Sequence, residues 1–518
     1  MVRTRKLLWG GMLLGFAGMG SLAYFYVEHI YITRIDYLEN LVVDARQREE
    51  RAVVVRRVSK QMEEIAYQQK EISDRQRKQA EWQAGENFRM KLRVEEEWKK
   101  AVAAQQEALT AYRLADRQKA LAEERQYQAE YAKRVADTLA CLTLGRSLGS
   151  LSITQHHTGN EGIASLLAYA AWSFTGRYQG DVFLPSVFNS LSLSAGQTSA
   201  WQNHKGGVTA IVFASGAAGA DRFYTAGKYG EILLWEKDAR DGYRTKSLFS
   251  GQQFDFRAAC IGPHGGLYAL SFDGKLLEFS GGRYQVFPLK GKNYIQMVSL
   301  DGKLILLSAT EGLVIAGEEQ PLYHRPDISC IGKEDGCLLA GHKNGDVVRV
   351  DLSGRADGNV ANYYAFPVTA FGYCPLSGRF AIGYEDGTIL LFHSREASFQ
   401  RLVGHRSAVT SILLHENKLY SCSYDRTLRL WNLSADRMEP VVVLEGSSWL
   451  RTLALVPDRK LLLAGDEGGT LYRLSVSPDS MAARIKRNLP RDFTPEEWAY
   501  YVGSRIPFEH YTSKEHDL

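Results

Sequence analysis

Residues 418–433 read KLYSCSYDRTLRLWNL, and Gly404-His405 stand a short way upstream. Two runs of alternating apolar and polar positions, Leu419 to Ser423 and Thr427 to Trp431, flank a tight Tyr-Asp-Arg turn. Period-two alternation marks a half-buried strand, and a polar turn between two such runs marks a hairpin. The turn aspartate and the tryptophan six residues later therefore have a structural explanation available before any chemical one.

The unit recurs. Lining up each tight turn with the strand that follows gives KYGEILLW (228–235), FDGKLLEF (272–279), TEGLVIAG (310–317), KNGDVVRV (343–350), EDGTILLF (385–392), YDRTLRLW (424–431) and EGGTLYRL (467–474). Their mean spacing is about 40 residues, the period of a four-stranded propeller blade. A second short strand precedes each turn, as in RFYTAG, CLLAGH and KLLLAG, and an upstream strand adds a third, as in VTAIVF, VTAFGY, VTSILL and LRTLAL.

On these residues the chain resembles the WD-repeat propeller family over about 200–475. The family pattern is a Gly-His pair, an apolar strand, a Ser or Thr, a turn Asp and a closing Trp, and Gly404-His405, Ser421, Asp425 and Trp431 match it. The first repeat keeps His204, Thr225 and Trp235, with Tyr229 where the aspartate belongs, so its set is expected to be incomplete. Phe279, Val350, Phe392 and Leu474 take the closing position elsewhere, and the repeat around 293–317 departs furthest. The resemblance implies that these polar groups form a hydrogen-bonded chain that pins a blade, a structural role rather than a catalytic one. Seven blades close a ring and so remove exposed sheet edges. Because the composition after Leu474 turns helix-like, the outer strand of the last blade is expected from Ser192 to Trp201.

Upstream, Leu7 to Val27 carry no charge. At about 1.5 Å per residue such a segment is long enough for a hydrocarbon core of about 30 Å. Arg3, Arg5 and Lys6 precede it and Arg34 follows, so the positive-inside rule places the N-terminus in the cytoplasm. The alternative is a cleaved signal peptide ending near Ser21-Leu22-Ala23. Residues 33–144 then lack proline, hold one glycine, Gly85, and are rich in Glu, Gln, Lys, Arg and Ala, which predicts a very long helix of about 150 Å. A slipping heptad seam, with Leu114, Leu121, Val135 and Leu142 in its last register, fits a loose coiled coil; a single solvated helix bent near Gly85 is the alternative. In 145–194, Ile163, Leu166, Leu167, Ala170 and Phe174 share one helical face, and Thr494, Pro495 and Glu497 read as N-cap, first helical position and capping box. Both flanking pieces resemble those of a group of bacterial multidomain proteins.

The chemistry-bearing motifs are few. Gly145-Arg146-Ser147-Leu148-Gly149 matches a nucleophile elbow but follows a helix rather than a strand. His156 and His157 are adjacent, without the spacing that lets two imidazoles share a metal. Cys141, Cys260, Cys330, Cys337, Cys374 and Cys422 show no paired spacing. A net charge of +4 over 518 residues with no basic block argues against nucleic-acid binding. No catalytic, cofactor-binding or metal-binding residue is expected.

The expected fold class is an all-β seven-bladed propeller preceded by a transmembrane helix and a long α-helical, coiled-coil-like stalk. Its segments are a membrane anchor at 1–30, the stalk at 31–144, a helical connector at 145–194, the propeller at 195–476 and a helical tail at 477–518. The expected protein is single-pass, with its N-terminus in the cytoplasm and its stalk and ring on the periplasmic side of a bacterial inner membrane. The function expected is a non-catalytic membrane-anchored scaffold that recruits protein partners, with self-association through the stalk. The rivals are a propeller enzyme or glycan or small-molecule binder using the central channel, and a structural spacer acting through the stalk.

Overall fold

Each of the seven turns joins the second and third strands of a four-stranded antiparallel sheet. The structure is a computed structural model and describes residues 62, 67–79, 81–82 and 98–512, apart from 197, 215–220, 239–241, 394–397, 436–437, 457–460 and 505. The first strands of the blades are β2 (Val208–Phe213), β6 (Phe256–Ile261), β10 (Tyr294–Leu300), β14 (Ile328–Glu334), β18 (Val368–Cys374), β22 (Val409–His415) and β26 (Leu450–Leu455). Each lies against the next, and β26 lies against β2, so the seven sheets form a closed ring. Apolar clusters fill the spaces between blades: Phe223, Leu233 and Trp235 of the first blade pack with Leu463 and Leu471 of the seventh.

Two local features repeat around the ring. Every first strand breaks register after its opening residue, between Val208 and Ala210 in the first blade and between Leu450 and Thr452 in the last, with the same break in the other five. Such a bulge turns one side chain out of the ladder, here Thr209, Arg257, Ile295, Ser329, Thr369, Thr410 and Arg451. The third residue of every turn is left-handed: Gly230, Gly274, Gly312, Gly345, Gly387 and Gly469 have φ between 75° and 94°, and Arg426 has φ 68°.

The ring closes through β1 (Ser199–Gln202), which pairs antiparallel with β28 (Thr470–Ser475) from Ser199↔Arg473 to Gln202↔Thr470. The outer strand of the last blade thus comes from ahead of the first, starting seven residues into the expected stretch. Ser192 to Ala195 instead complete helix α4 (Pro185–Ala195). Trp201 anchors the closing strand by packing on Trp235 and Tyr243 of the first blade.

The chain divides into two compact units, residues 1–150 with 173–180, and 151–172 with 181–518. In the first, residues 67–79 form helix α1 and α2 starts at Trp98; the described residues of both, up to Tyr127, are exposed. Proline-free sequence lets α2 run to His157, through Gly145 and Gly149. Helix α3 (Glu161–Arg177), whose residues up to Trp172 belong to the second unit, buries Leu166, Leu167, Ala170 and Phe174 with Ile163 half-buried. In the second unit, α4 packs Val187, Phe188 and Leu191 among Val441 and Val443 of β25 (Val441–Glu445) and Met481, Ala482 and Ile485 of α5 (Pro478–Asn488). Helix α6 (Pro495–Tyr501) opens with the Thr494–Glu497 capping box.

Two expectations are corrected. Among the described residues no helix is long and apolar enough to cross a membrane; α2 has the length, but its surface is Glu, Gln, Lys and Arg. The segment Leu7–Val27 lies outside the described residues, and the single-pass topology and periplasmic placement that rested on it are withdrawn. Nor do the helices form a single stalk beside an all-β ring: among the described residues α2 is one of six helices, and they lie on both sides of the propeller sequence.

A left-handed residue with a Cβ is strained by about 1 kcal/mol relative to glycine. Arg426→Gly should therefore raise stability by about 1 kcal/mol in chemical denaturation. In the opposite direction, a Cβ at Gly345 would collide with the Tyr364 carbonyl oxygen, so Gly345→Ala should cost about 2–3 kcal/mol.

Candidate functional site

In the sixth blade the sequence-predicted residues meet inside the sheet. Trp431 Nε1 donates to Ser421 Oγ at 3.0 Å, Ser421 Oγ lies 2.8 Å from His405 Nε2, and His405 Nδ1 lies 2.9 Å from Asp425 Oδ2. An indole only donates and a carboxylate only accepts, so the direction is fixed: tryptophan to serine, serine to histidine, histidine Nδ1–H to aspartate. Asp425 also accepts from the Arg406 and Thr427 backbone N–H groups and the Thr427 hydroxyl. Burial alone would raise the Asp425 carboxyl, but His405, Thr427 and Arg406 together hold it well below the usual carboxylate range.

The first blade builds the same chain with a different acid. Trp235 Nε1 donates to Thr225 Oγ1 at 2.8 Å, and Thr225 Oγ1 is 2.7 Å from His204 Nε2. Tyr229 takes no part in it. Glu231, two residues later, reaches back to within 3.3 Å of His204 Nδ1 and accepts from the Lys205 N–H at 2.9 Å. The gap expected at Tyr229 is therefore filled, and the signal for it was a glutamate at the first position of the strand after the turn. Burial lowers the His204 imidazole below its ordinary value, against the opposing charge and hydrogen bond of Glu231.

Two further blades use phenols that sequence reasoning missed. Tyr364 donates to Asp386 Oδ2 at 2.5 Å in the fifth, and Tyr472 donates to Asp466 Oδ2 at 3.0 Å in the seventh. Neither carries the His or Trp of the pattern.

The outward side of the same turns forms a continuous surface over the sixth, seventh and first blades. Tyr424 packs against Trp449 with ring centroids 5.4 Å apart, and the bulged Arg451 lies 5.8 Å over the Tyr424 ring. Arg451 is ion-paired with Glu467, and Lys228 Nζ donates to Glu467 Oε1 at 2.9 Å. Burial would raise the Glu467 carboxyl, yet Lys228 and Arg451 lower it. Trp449 and Tyr229 are each 54% exposed. Two glycines let the chain lie beneath them: a Cβ at Gly207 would sit 2.7 Å from Glu467 Oε2, and one at Gly206 2.8 Å from the Tyr229 ring.

The family model described as "WD domain, G-beta repeat" matches residues 397–432, the stretch that holds His405, Ser421, Asp425 and Trp431. The ring is a WD-repeat β-propeller. The WD-repeat chain is 29% identical over 107 residues to the target of rapamycin complex subunit wat1 of Schizosaccharomyces pombe, covering 20% of this chain and 34% of that protein. It is 32% identical over 101 residues to LIN, a candidate E3 ubiquitin-protein ligase of Medicago truncatula, covering 19% of this chain and 6% of that one. The matches thus span a third of the first relative's length and far less of the second's. The solved WD40 β-propeller domain of Doa1 superposes with a TM-score of 0.46 at 16% identity, over 55% of this chain and 97% of that chain.

The remaining candidates fall away from this surface. Ser147 lies inside helix α2 rather than at a strand-to-helix turn, and His156 and His157 end the same helix. All six cysteines are free thiols. Among the described residues no group of three or more His, Cys, Asp and Glu is placed to hold a metal ion.

Removing the shared hydroxyl with Ser421→Ala leaves the Trp431 N–H and His405 Nε2 buried without partners, which should cost about 2–4 kcal/mol in chemical denaturation. The two acid-linked groups set two pH windows. His204 has a folded pKa below its unfolded value, so its contribution is complete above the ordinary imidazole value of 6.5 and is lost as pH falls below it. Asp425, also lowered, contributes above the ordinary carboxyl value of 3.8 and is lost only on further acidification. Thermal midpoints should therefore fall between about pH 7 and 5, and His204→Gln should flatten that limb while leaving the lower one.

Proposed function

We propose that this protein is a non-catalytic scaffold whose WD-repeat propeller binds a protein partner through the surface of the sixth, seventh and first blades. The observation that carries this is the pair of half-exposed aromatics, Trp449 and Tyr229, flanking the Arg451–Glu467–Lys228 ion chain. Exposed tryptophan and tyrosine beside arginine is the composition of a binding hot spot. Internal pairing of Glu467 with Arg451 and Lys228 fixes these side chains before binding, so little ordering entropy remains to be lost. In this role Trp449 and Tyr424 are the apolar anchor, Tyr229 the second anchor across the ring seam, and the ion chain the spacer that holds them apart.

The fission-yeast relative is named as a subunit of a complex, which agrees with a propeller that works through protein partners. The ligase name of the plant relative belongs to a protein of which this chain matches 6%, and its activity is not carried over.

The test is affinity capture with the full chain as bait from its native cell extract, compared with a Trp449→Ala, Tyr229→Ala double variant. Both positions are exposed, so the thermal midpoint should stay within about 1–2 °C. Partner recovery should fall at least tenfold. Unchanged recovery of the same partners by the double variant would overturn the assignment of this surface.

A further inference from the structure

A propeller ends every blade in an outer strand whose free edge offers unpaired N–H and C=O groups, and folded proteins blunt such edges. Most of the outer strands here are blunted. Strand β25 is covered by α4, β1 has four residues and β13 (Pro321–Tyr323) has three. Strand β17 (Ala356–Ala361) breaks register twice against its neighbour, β5 (Tyr243–Ser250) breaks it once and displays Arg244 and Lys246, and β21 (Phe399–Leu402) is a four-residue strand carrying Arg401.

Strand β9 (Arg283–Pro288), the outer strand of the second blade, is neither short, covered nor broken in register, and its one charge, Arg283, and its proline, Pro288, stand at its two ends. Its six residues RYQVFP pair with β8 (Lys275–Ser280) in unbroken register, and all six are exposed. Three are large and apolar: Tyr284 is 55% exposed, Val286 41% and Phe287 40%. Tyr284 extends this apolar edge onto the first blade by packing on Phe249 at 5.0 Å.

We propose that β9 is a self-association edge, occupied by β9 of a second copy of this chain in an antiparallel pair centred on Gln285. The strand's own sequence selects this occupant. Centred on Gln285, each Tyr284 faces the second copy's Val286, an aromatic against a β-branched residue, and each Arg283 faces the second copy's Phe287. Arg283 is the strand's one charge, and this register puts the two arginines four residues apart, about 13 Å, beyond the screening length at physiological salt. Pro288 has no N–H to donate and ends the ladder. The contact uses the same patch on both copies, so it closes as a dimer and leaves no edge for a fibre. It uses different residues from the partner surface above and does not depend on that assignment.

The experiment uses the full chain in sedimentation velocity from about 1 to 100 μM, with Val286→Lys alongside, and oxidative cross-linking of Gln285→Cys against the parent and a Lys246→Cys control on β5. The parent should show a concentration-dependent dimer. Val286→Lys should weaken it at least tenfold without moving the thermal midpoint. Gln285→Cys, on the two-fold axis, should form a covalent dimer that neither the parent nor Lys246→Cys forms. A chain that stays monomeric, an association that Val286→Lys leaves intact, or the absence of the Gln285→Cys cross-link would each overturn the proposal.

Discussion

The pairing of β1 with β28 is the constraint on which the rest of the ring depends. Seven sheets of the same pattern have no intrinsic reason to stop or to close, and Ser199–Gln202 is the strand that extends the last sheet with residues from ahead of the first. Closing a chain segment of this length costs entropy that grows slowly with length, so a short strand suffices once neighbouring contacts help it. Those contacts are present: Trp201 packs on Trp235, and of the helices that flank the ring in sequence, α4 packs on both α5 and β25. The seam is thus held by a strand pair, an aromatic anchor and a helix pair, and the Lys228–Glu467 ion pair crosses it on the turn side.

Given a closed ring, each blade must still fix its turn and satisfy the polar groups buried behind it. The sixth and first blades do this with a Trp, hydroxyl, His and acid chain, but with Asp425 in one and Glu231 in the other. The fifth and seventh use Tyr364 with Asp386 and Tyr472 with Asp466. A buried donor needs a partner far more than it needs a particular one. What all seven blades share is the left-handed third turn residue, while the acid and its partners in the sixth, first, fifth and seventh are supplied by different residue types.

That variation explains what was legible in the sequence. The left-handed turn is a backbone demand with one cheap solution, glycine, so six of seven turns announced themselves and the seventh was found through Asp425 and Trp431. The caps at Thr494 and Pro495 were legible for the same reason, since local hydrogen bonding sets them. Glu231, Tyr364 and Tyr472 were not, because each substitutes across space for a group elsewhere in the pattern. Helix α2 runs on through Gly145 and Gly149, both buried within it, where the packing of small residues outweighs a propensity cost of about 1 kcal/mol each. Composition in Leu7–Val27 suggested a span that no described helix bears out.

Within each of these turns neighbouring residues divide the work. Asp425 faces into the blade while Tyr424 meets Trp449 outside; Glu231 faces in while Tyr229 stands half-exposed; Asp466 is fully buried while Glu467 holds Lys228 and Arg451 on the surface. The inward member carries the fold's polar satisfaction and the outward member carries none of it. The bulge at the head of the last blade's first strand delivers Arg451 to the same end, where it joins Glu467, whereas Thr209, Ser329, Thr369 and Thr410 at the matching positions donate to backbone carbonyls and belong to the internal network. A rigid ring can therefore hold its shape while the chemistry of the exposed positions on its turn face, Tyr229 and Trp449 among them, changes residue by residue.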